Sequence, residues 1–247
     1  MHRFFIPREW IERDRVLLKE DRAHQVVNVL RLKAKEHIVV LDNSGWEYEV
    51  AIEQAGGDLV RGKVLSKTIC PGEPGIRISL YQALLKTDKF ELVLQKGVEL
   101  GVSTFIPFIS ERCAVRAPSE SRMHRWQAIV REAAEQSGRA LIPALKPPVT
   151  FREACEQAEK PAMLFWEEEP KNNLPTVLRN APFRETQNLG IFIGPEGGFP
   201  PAEAAFASSC GILPVRLGQR VLRAETAGIA AISAILYEKG EMGYGEM

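Results

Sequence analysis

Two glycine-bearing turns near the end of the chain constrain its fold more than any other feature. The first follows the apolar run from Ile191 to Ile193 and reads Gly194, Pro195, Glu196, Gly197, Gly198 before Phe199. The second follows Leu213 to Val215 and reads Leu217, Gly218, Gln219, Arg220, Val221, Leu222, Arg223, Ala224, Glu225, Thr226, with small residues continuing to Ile235. A short apolar strand, a turn that only glycine and proline negotiate, and a helix make one αβ unit. Two such units set their turns side by side. Glycine leaves main-chain N–H groups open to a ligand, so the pair predicts a pocket built largely from backbone.

Neither turn is a known phosphate loop. There is no G-x-x-x-x-G-K-[ST] and no G-x-G-x-x-G opening a helix. On its residues alone the first turn reads either as a tight strand-to-helix connection or as a ligand site. The second tilts the balance, because Arg220 and Arg223 flank an apolar pair, Val221 and Leu222, suited to sandwiching a flat ring. Thr226 is placed to cap the following helix, and Ala227 and Gly228 in its first turn permit close backbone approach.

The segments GPEGGF (Gly194 to Phe199) and LGQRVLRAETA (Leu217 to Ala227) resemble the ribosomal RNA uridine-N3 methyltransferases of the RsmE type, in the SPOUT superfamily. KGVELGV (Lys96 to Val102), EAAEQSGR (Glu132 to Arg139) and the opening MHRFF extend the resemblance over nearly the whole chain. It implies an α/β fold: a PUA-like RNA-binding β-barrel in residues 1–72, then a parallel-sheet methyltransferase domain with a trefoil knot in residues 73–247. It also implies S-adenosylmethionine as cofactor, small-subunit (16S) ribosomal RNA or the assembled small subunit as partner, and a homodimer. One departure is Pro200-Pro201 after the first turn, where a hydroxyl cap is expected; proline at a first helical position is acceptable, so the doubt falls on the cap.

The resemblance assigns cofactor contacts to Phe165, Trp166, Ile193, Gly194, Pro195, Glu196, Gly197, Leu217, Gly218, Val221, Leu222 and Thr226. It assigns RNA contacts to Arg3, Arg8, Arg22, His24 and Arg31. N3 of uridine must lose its proton before it attacks a methyl group, and a cation near O2 or O4 favours that loss. Arg139, Arg220 and Arg223 are the candidates. Glu225 is a candidate base or simply helps start its helix; otherwise the base is unassigned, and loss to water is allowed.

Residues 1 to about 72 read as short strands. His37 to Asp42, a turn at Asn43 to Gly45, and Trp46 to Glu53 make a hairpin; Gly56 to Asp58 turn into a further strand. A helical piece from about Asp21 to Leu30 puts Val26, Val27 and Leu30 on one face. Nine cations between Arg3 and Lys35 interleave with Phe4, Phe5 and Trp10. That pattern fits phosphates with stacking rings, and equally a solvated face over core aromatics.

The boundary is expected at Cys70 to Gly75, where two prolines and two glycines interrupt any regular element. Beyond it, Ile76 to Lys86 reads as a buried strand, Asp88 to Gly101 as a helix, and Phe105 to Ile109 as the next strand. Ser119 to about Gln136 is the clearest helix, with Trp126, Ile129, Val130 and Ala133 on one face and Gly138 past its end. Arg139 just beyond it faces a target base by the resemblance, or is a surface arginine favoured by the helix dipole. Thr150 and Glu153 form a capping box. Ala162 to Trp166 reads as a strand ending on the acidic run Glu167 to Glu169, either a solvated loop or, in its first residues, the rim of the cofactor site. A parallel sheet of this kind binds ligands outside the carboxyl ends of its strands, which gathers Trp166, Gly194 and Gly218.

A chain of 247 residues, 45% hydrophobic, buries a real core. Lys plus Arg and Asp plus Glu both number 32, so any RNA contact rests on local patches. Cys70, Cys113, Cys155 and Cys210 show no metal spacing, and with the scattered histidines they argue against zinc. Reduced thiols and no long apolar span read as cytoplasmic, with no membrane and no metal. Two rivals from other classes are an inactive ribosome-assembly factor and a metabolite-binding regulator without an RNA target.

Overall fold

The computed structural model describes residues 1–115 and 117–243. The chain divides into two compact units: residues 1–73 with 134–142, and residues 74–133 with 143–247.

In the first unit, β1 (His2–Phe5), β2 (Ile11–Glu12), β3 (Arg15–Lys19), α1 (Glu20–His24), β4 (His37–Leu41), β5 (Trp46–Gly56) and β6 (Leu59–Ile69) follow in order. The hairpin of β4 and β5 turns at Asn43 and Gly45, both with positive φ. A wider helical turn, Gln25–Val29, continues α1 and buries Val26. The sheet runs β1-β4-β5-β6-β3-β2, with β1 and β2 as its edges, so the pairings leave it open where a closed barrel was expected. Two residues in β2 offer too short a ladder to close on β1. Phe4, Leu18, Ile38, Val50 and Val60 fill the core beneath it.

The second unit contains β7 (Arg77–Ala83), α2 (Thr87–Glu99), β8 (Val102–Ile109), most of α3 (Glu120–Ser137), β9 (Ala144–Leu145), β10 (Val149–Thr150), α4 (Phe151–Glu156) and β11 (Ala162–Phe165). It ends with α5 (Leu174–Leu178), β12 (Asn188–Ile193), α6 (Pro201–Ser209), β13 (Ile212–Val215) and α7 (Ala224–Glu238). Its strands pair in the order β10-β8-β7-β12-β11-β13, all parallel. β7 and β12 are almost continuously buried, as strands covered on both faces must be. The rings of Tyr81 and Phe192 stack at 4.2 Å across that central pair. The capping box at Thr150 and Glu153 is formed in full and starts α4.

One local expectation is corrected. Helix α7 begins at Ala224 with Arg223 as its N-cap residue and no side-chain cap, so Thr226 lies inside the first turn. Ile232, Ile235 and Leu236 are buried within their own chain, which leaves Ile229 half-buried and Tyr237 exposed as the large side chains on the outer face. These buried side chains of α7 are used within the second unit. Among the described residues no helix is long and apolar enough to cross a membrane.

Candidate active site

The carboxyl ends of β11, β12 and β13 open into one pocket, lined from three directions. β11 contributes Phe165, with Trp166 and Glu167 following it. The turn after β12 contributes Ile193, Gly194, Pro195, Glu196, Gly198 and Phe199. The segment after β13 contributes Arg216 through Leu222, and Ala224 and Ala227 close the floor from α7. This is where a parallel sheet with helices on its faces places a ligand.

The first turn is shaped by its own chemistry. The N–H of Gly198 donates to the Pro195 carbonyl at 3.0 Å, and Gly198 sits at φ +67°, a left-handed conformation that suits glycine. The indole N–H of Trp166 donates to the Phe199 carbonyl at 3.1 Å, and a guanidinium N–H of Arg112 donates to the Gly197 carbonyl at 3.0 Å. Helix α6 then starts on Pro201 with no side-chain cap, as the proline pair implied. Glu203 in its first turn instead accepts from the Ser110 hydroxyl at 2.8 Å and the Glu111 N–H at 2.9 Å, bracing the loop after β8.

Most of the expected cofactor contacts come together here: Phe165, Trp166, Ile193, Gly194, Pro195, Glu196, Leu217, Gly218, Val221 and Leu222 all line the pocket, as does Arg220. Gly197 and Thr226 do not, and neither do Arg223 and Glu225. Glu225 is buried, its Oε2 lying 3.6 Å from Lys89 Nζ. Gly218 has an ordinary φ and open space where a Cβ would stand, so no forbidden backbone angle requires glycine there. At Gly194 a Cβ would come within 3.1 Å of the Phe199 ring.

Arg139 is paired with an acid of its own unit. It is 2% exposed, and its Nη2 lies 2.8 Å from Glu73 Oε2. The same carboxylate accepts from the N–H groups of Ala140 and Leu141, each at 3.0 Å. Arg139 and Glu73 both belong to the first unit.

The basic cluster is also partly spent. Arg3 pairs with Glu47 at 2.8 Å, Arg8 with Asp42 at 2.7 Å and Arg22 with Glu135 at 2.7 Å. Arg3 and Arg22 are largely covered, whereas Arg8, His24 and Arg31 are exposed. Arg31 has φ +55°.

Sequence reasoning did not assign Gly198, Phe199, Arg216, Gln219, Ala224 or Ala227 to the lining. Glu167, the first residue of an acidic run directly after a core strand, was expected at the rim and does line the pocket. Phe199 had no signal beyond its place after the glycines.

The donor set suits a cofactor carrying a flat heterocycle. The pocket walls combine main chain at Gly194 and Gly218 with Phe165, Trp166, Ile193 and Leu222, and Val221 is 79% exposed at the rim. An apolar side chain that open to water beside a cleft is a ready face for a ring. Among the described residues no group of acids, cysteines and histidines is arranged to hold a metal ion.

Residues 72–236 match the family described as the RNA methyltransferase domain. The chain is 34% identical to ribosomal RNA small subunit methyltransferase E of Mesomycoplasma hyopneumoniae, covering 93% of this chain and 96% of that protein. It is 30% identical to the Bacillus subtilis protein of the same name, with 88% of each covered. A crystal structure of that methyltransferase from Neisseria gonorrhoeae, bound to S-adenosyl methionine, superposes with a TM-score of 0.86 at 32% identity, over 96% of this chain and 97% of that one.

Proposed function

The chain belongs to the RNA methyltransferase family, among the ribosomal RNA small subunit methyltransferases E, and from that membership we propose that it methylates N3 of a uridine in small-subunit ribosomal RNA. The observation that carries this reading is the meeting of both glycine turns with β11 at one pocket.

S-adenosylmethionine supplies an electrophilic methyl group held on a sulfonium. The main chain of Gly194 to Glu196 and of Leu217 to Leu222 would hold the cofactor, while Phe165, Trp166, Ile193, Val221 and Leu222 would pack its apolar surfaces. Arg220, at the pocket, stabilises negative charge on the base as N3 loses its proton. Arg223, one turn of chain further, is exposed and adds positive potential on the same approach. Holding N3 in line with the methyl group supplies the rest of the rate by orientation.

The reading extends to a PUA-like RNA-binding unit in residues 1–72, a trefoil knot in residues 73–247, a homodimer and a cytoplasmic site of action, each taken from the family resemblance. Arg8, His24 and Arg31 are the RNA contacts best supported by exposure; Arg3 and Arg22 act mainly on the shape of the first unit.

Mass spectrometry of small-subunit ribosomal RNA from cells lacking the protein tests this directly. One uridine should lose an N3 methyl group. An unchanged methylation pattern would overturn the reading.

A further inference from the structure

Lys89, in the first turn of α2, reaches two carboxylates, Glu196 in the turn after β12 and Glu225 in the first turn of α7. Its Nζ lies 3.4 Å from Glu196 Oε1 and 3.6 Å from Glu225 Oε2. Relaxed charge-assisted contacts are shorter, about 2.7–2.9 Å, and long contacts of this kind are common in sites that tighten only around substrate. Glu225 Oε2 is buried and accepts no hydrogen bond. Gln82, 1% exposed at the end of β7, carries a second buried oxygen without a donor. A Cβ on Gly228 would lie 3.4 Å from that oxygen, so Gln82 faces α7 one turn beyond Glu225. The inner side of the cluster is thus rich in acceptors and poor in donors, which draws the Lys89 ammonium inward.

The outer side is open. The side chains of Lys89 and Glu196 are 25% and 30% exposed, and Glu196 lines the pocket. An ammonium has three N–H donors, so two carboxylates leave at least one to spare. A donor and an anionic acceptor therefore stand side by side at the edge of the cofactor pocket, Glu196 on its lining and Lys89 against Glu196.

We propose that Lys89 and Glu196 are the catalytic pair that reads the imide edge of the target uracil, with Glu225 the positioning residue that holds Lys89 in place. The proposal rests on the uridine-N3 reading above. A uracil offers a carbonyl oxygen beside an N–H, the complement of this donor and acceptor, and enzymes that act on a displaced base read that Watson–Crick edge. Cytosine offers an amino group beside an unprotonated N3, which sets donor against donor and acceptor against acceptor. The pair therefore selects uridine over cytidine.

In the step, the N3–H bond breaks and its proton passes to the Glu196 carboxylate. The electron pair stays on the ring, its charge spread to the oxygen facing Lys89. That pair forms the N3–CH3 bond as the methyl leaves the sulfonium, whose sulfur keeps the bonding electrons as a neutral thioether. The proton then leaves Glu196 for water.

The test compares wild type with Glu196→Gln, Lys89→Met, Glu225→Gln and the Lys89→Met/Glu225→Gln double variant. Methyl transfer to small-subunit RNA is followed by nucleoside mass spectrometry, and S-adenosylmethionine affinity by calorimetry. Each transfer is run on RNA containing uridine and on RNA containing 5-fluorouridine, whose imide is more acidic. Glu196→Gln should lower kcat about 100-fold, with cofactor affinity within about threefold of wild type. Fluorinated RNA should restore about tenfold of that loss, a recovery that damage to the fold would not allow. The double variant should be no slower than Lys89→Met alone, since Glu225 acts through Lys89. A Glu196→Gln protein that loses cofactor affinity as steeply as rate, with no gain from fluorinated RNA, would make Glu196 a cofactor contact and overturn the proposal. Additive losses at Lys89 and Glu225 would overturn the positioning role. A wild-type protein forming no 3-methyluridine would fail the underlying reading before any variant is compared.

Discussion

The indole N–H of Trp166 donates to the main-chain carbonyl of Phe199 at 3.1 Å, tying the end of β11 to the far side of the glycine turn. Both residues line the same pocket, so the bond fixes two of its three walls relative to each other.

Trp166→Phe keeps the ring and removes the donor, leaving a carbonyl in a buried residue unpaired. A net cost of about 1 kcal/mol is expected, felt as weaker cofactor binding of about fivefold more than as unfolding. Calorimetry with S-adenosylmethionine beside a urea melt separates the two effects.

The glycines of the two turns differ in what they tolerate. Gly198 has φ +67° and faces the Glu167 carboxylate, so Gly198→Ala should lower stability by about 1–2 kcal/mol. Gly218 has open space and an ordinary φ, so Gly218→Ala should change stability by less than about 0.5 kcal/mol. Any loss of cofactor affinity in a folded Gly218→Val protein then reports filling of the pocket alone. Denaturant midpoints for the two alanine variants check the contrast.

Arg139 and Glu73 form a largely buried ion pair, the guanidinium side chain only 3% exposed. Arg139→Met leaves the Glu73 carboxylate with main-chain donors alone. It should destabilise the protein by about 2–4 kcal/mol, less than a fully buried charge would cost because Glu73 is 22% exposed. Because the pair lies within the first unit, the S-adenosylmethionine affinity of protein that remains folded should be unchanged. Loss of activity with no loss of stability would return Arg139 to the substrate.

Burial pushes the Cys155 thiol up to about 12, with the neighbouring Cys210 thiol adding to the rise. A thiol whose folded value lies above its unfolded one stabilises the fold below the unfolded value and loses that contribution as pH rises towards the folded one. Unfolding free energy should therefore decline above about pH 9, and Cys155→Ala should remove part of that slope. At pH 8 Cys155 should react with a thiol reagent only in denaturant, which peptide mapping of the labelled chain reveals.

The glycine turns were legible in the sequence because glycine and proline punctuate the chain locally, and their consequence, backbone at the strand ends, needs no distant partner. The helix holding Trp126 and the capping box at Thr150 were legible for the same reason. Arg139 was not, because its partner Glu73 lies 66 positions away and nothing in spacing announces the pair. The basic residues near the start read as one cluster, yet Arg22 is matched by Glu135, 113 positions later in sequence. Thr226 was misjudged as the cap by three residues, the N-cap falling at Arg223, because element boundaries are the part of a sequence reading that local pattern fixes least. Lys89 escaped notice because it sits on an amphipathic helix as an ordinary solvent-side lysine, and only tertiary structure sets it between Glu196 and Glu225.

The most direct measurement incubates the purified protein with small-subunit ribosomal RNA and S-adenosylmethionine labelled in the methyl group. The RNA is then digested to nucleosides and the label located by mass spectrometry. The account expects the label in 3-methyluridine, at a single position, and no label when Gly194→Val closes the pocket. Label on another atom or another base, or transfer undiminished in the folded Gly194→Val protein, would contradict it.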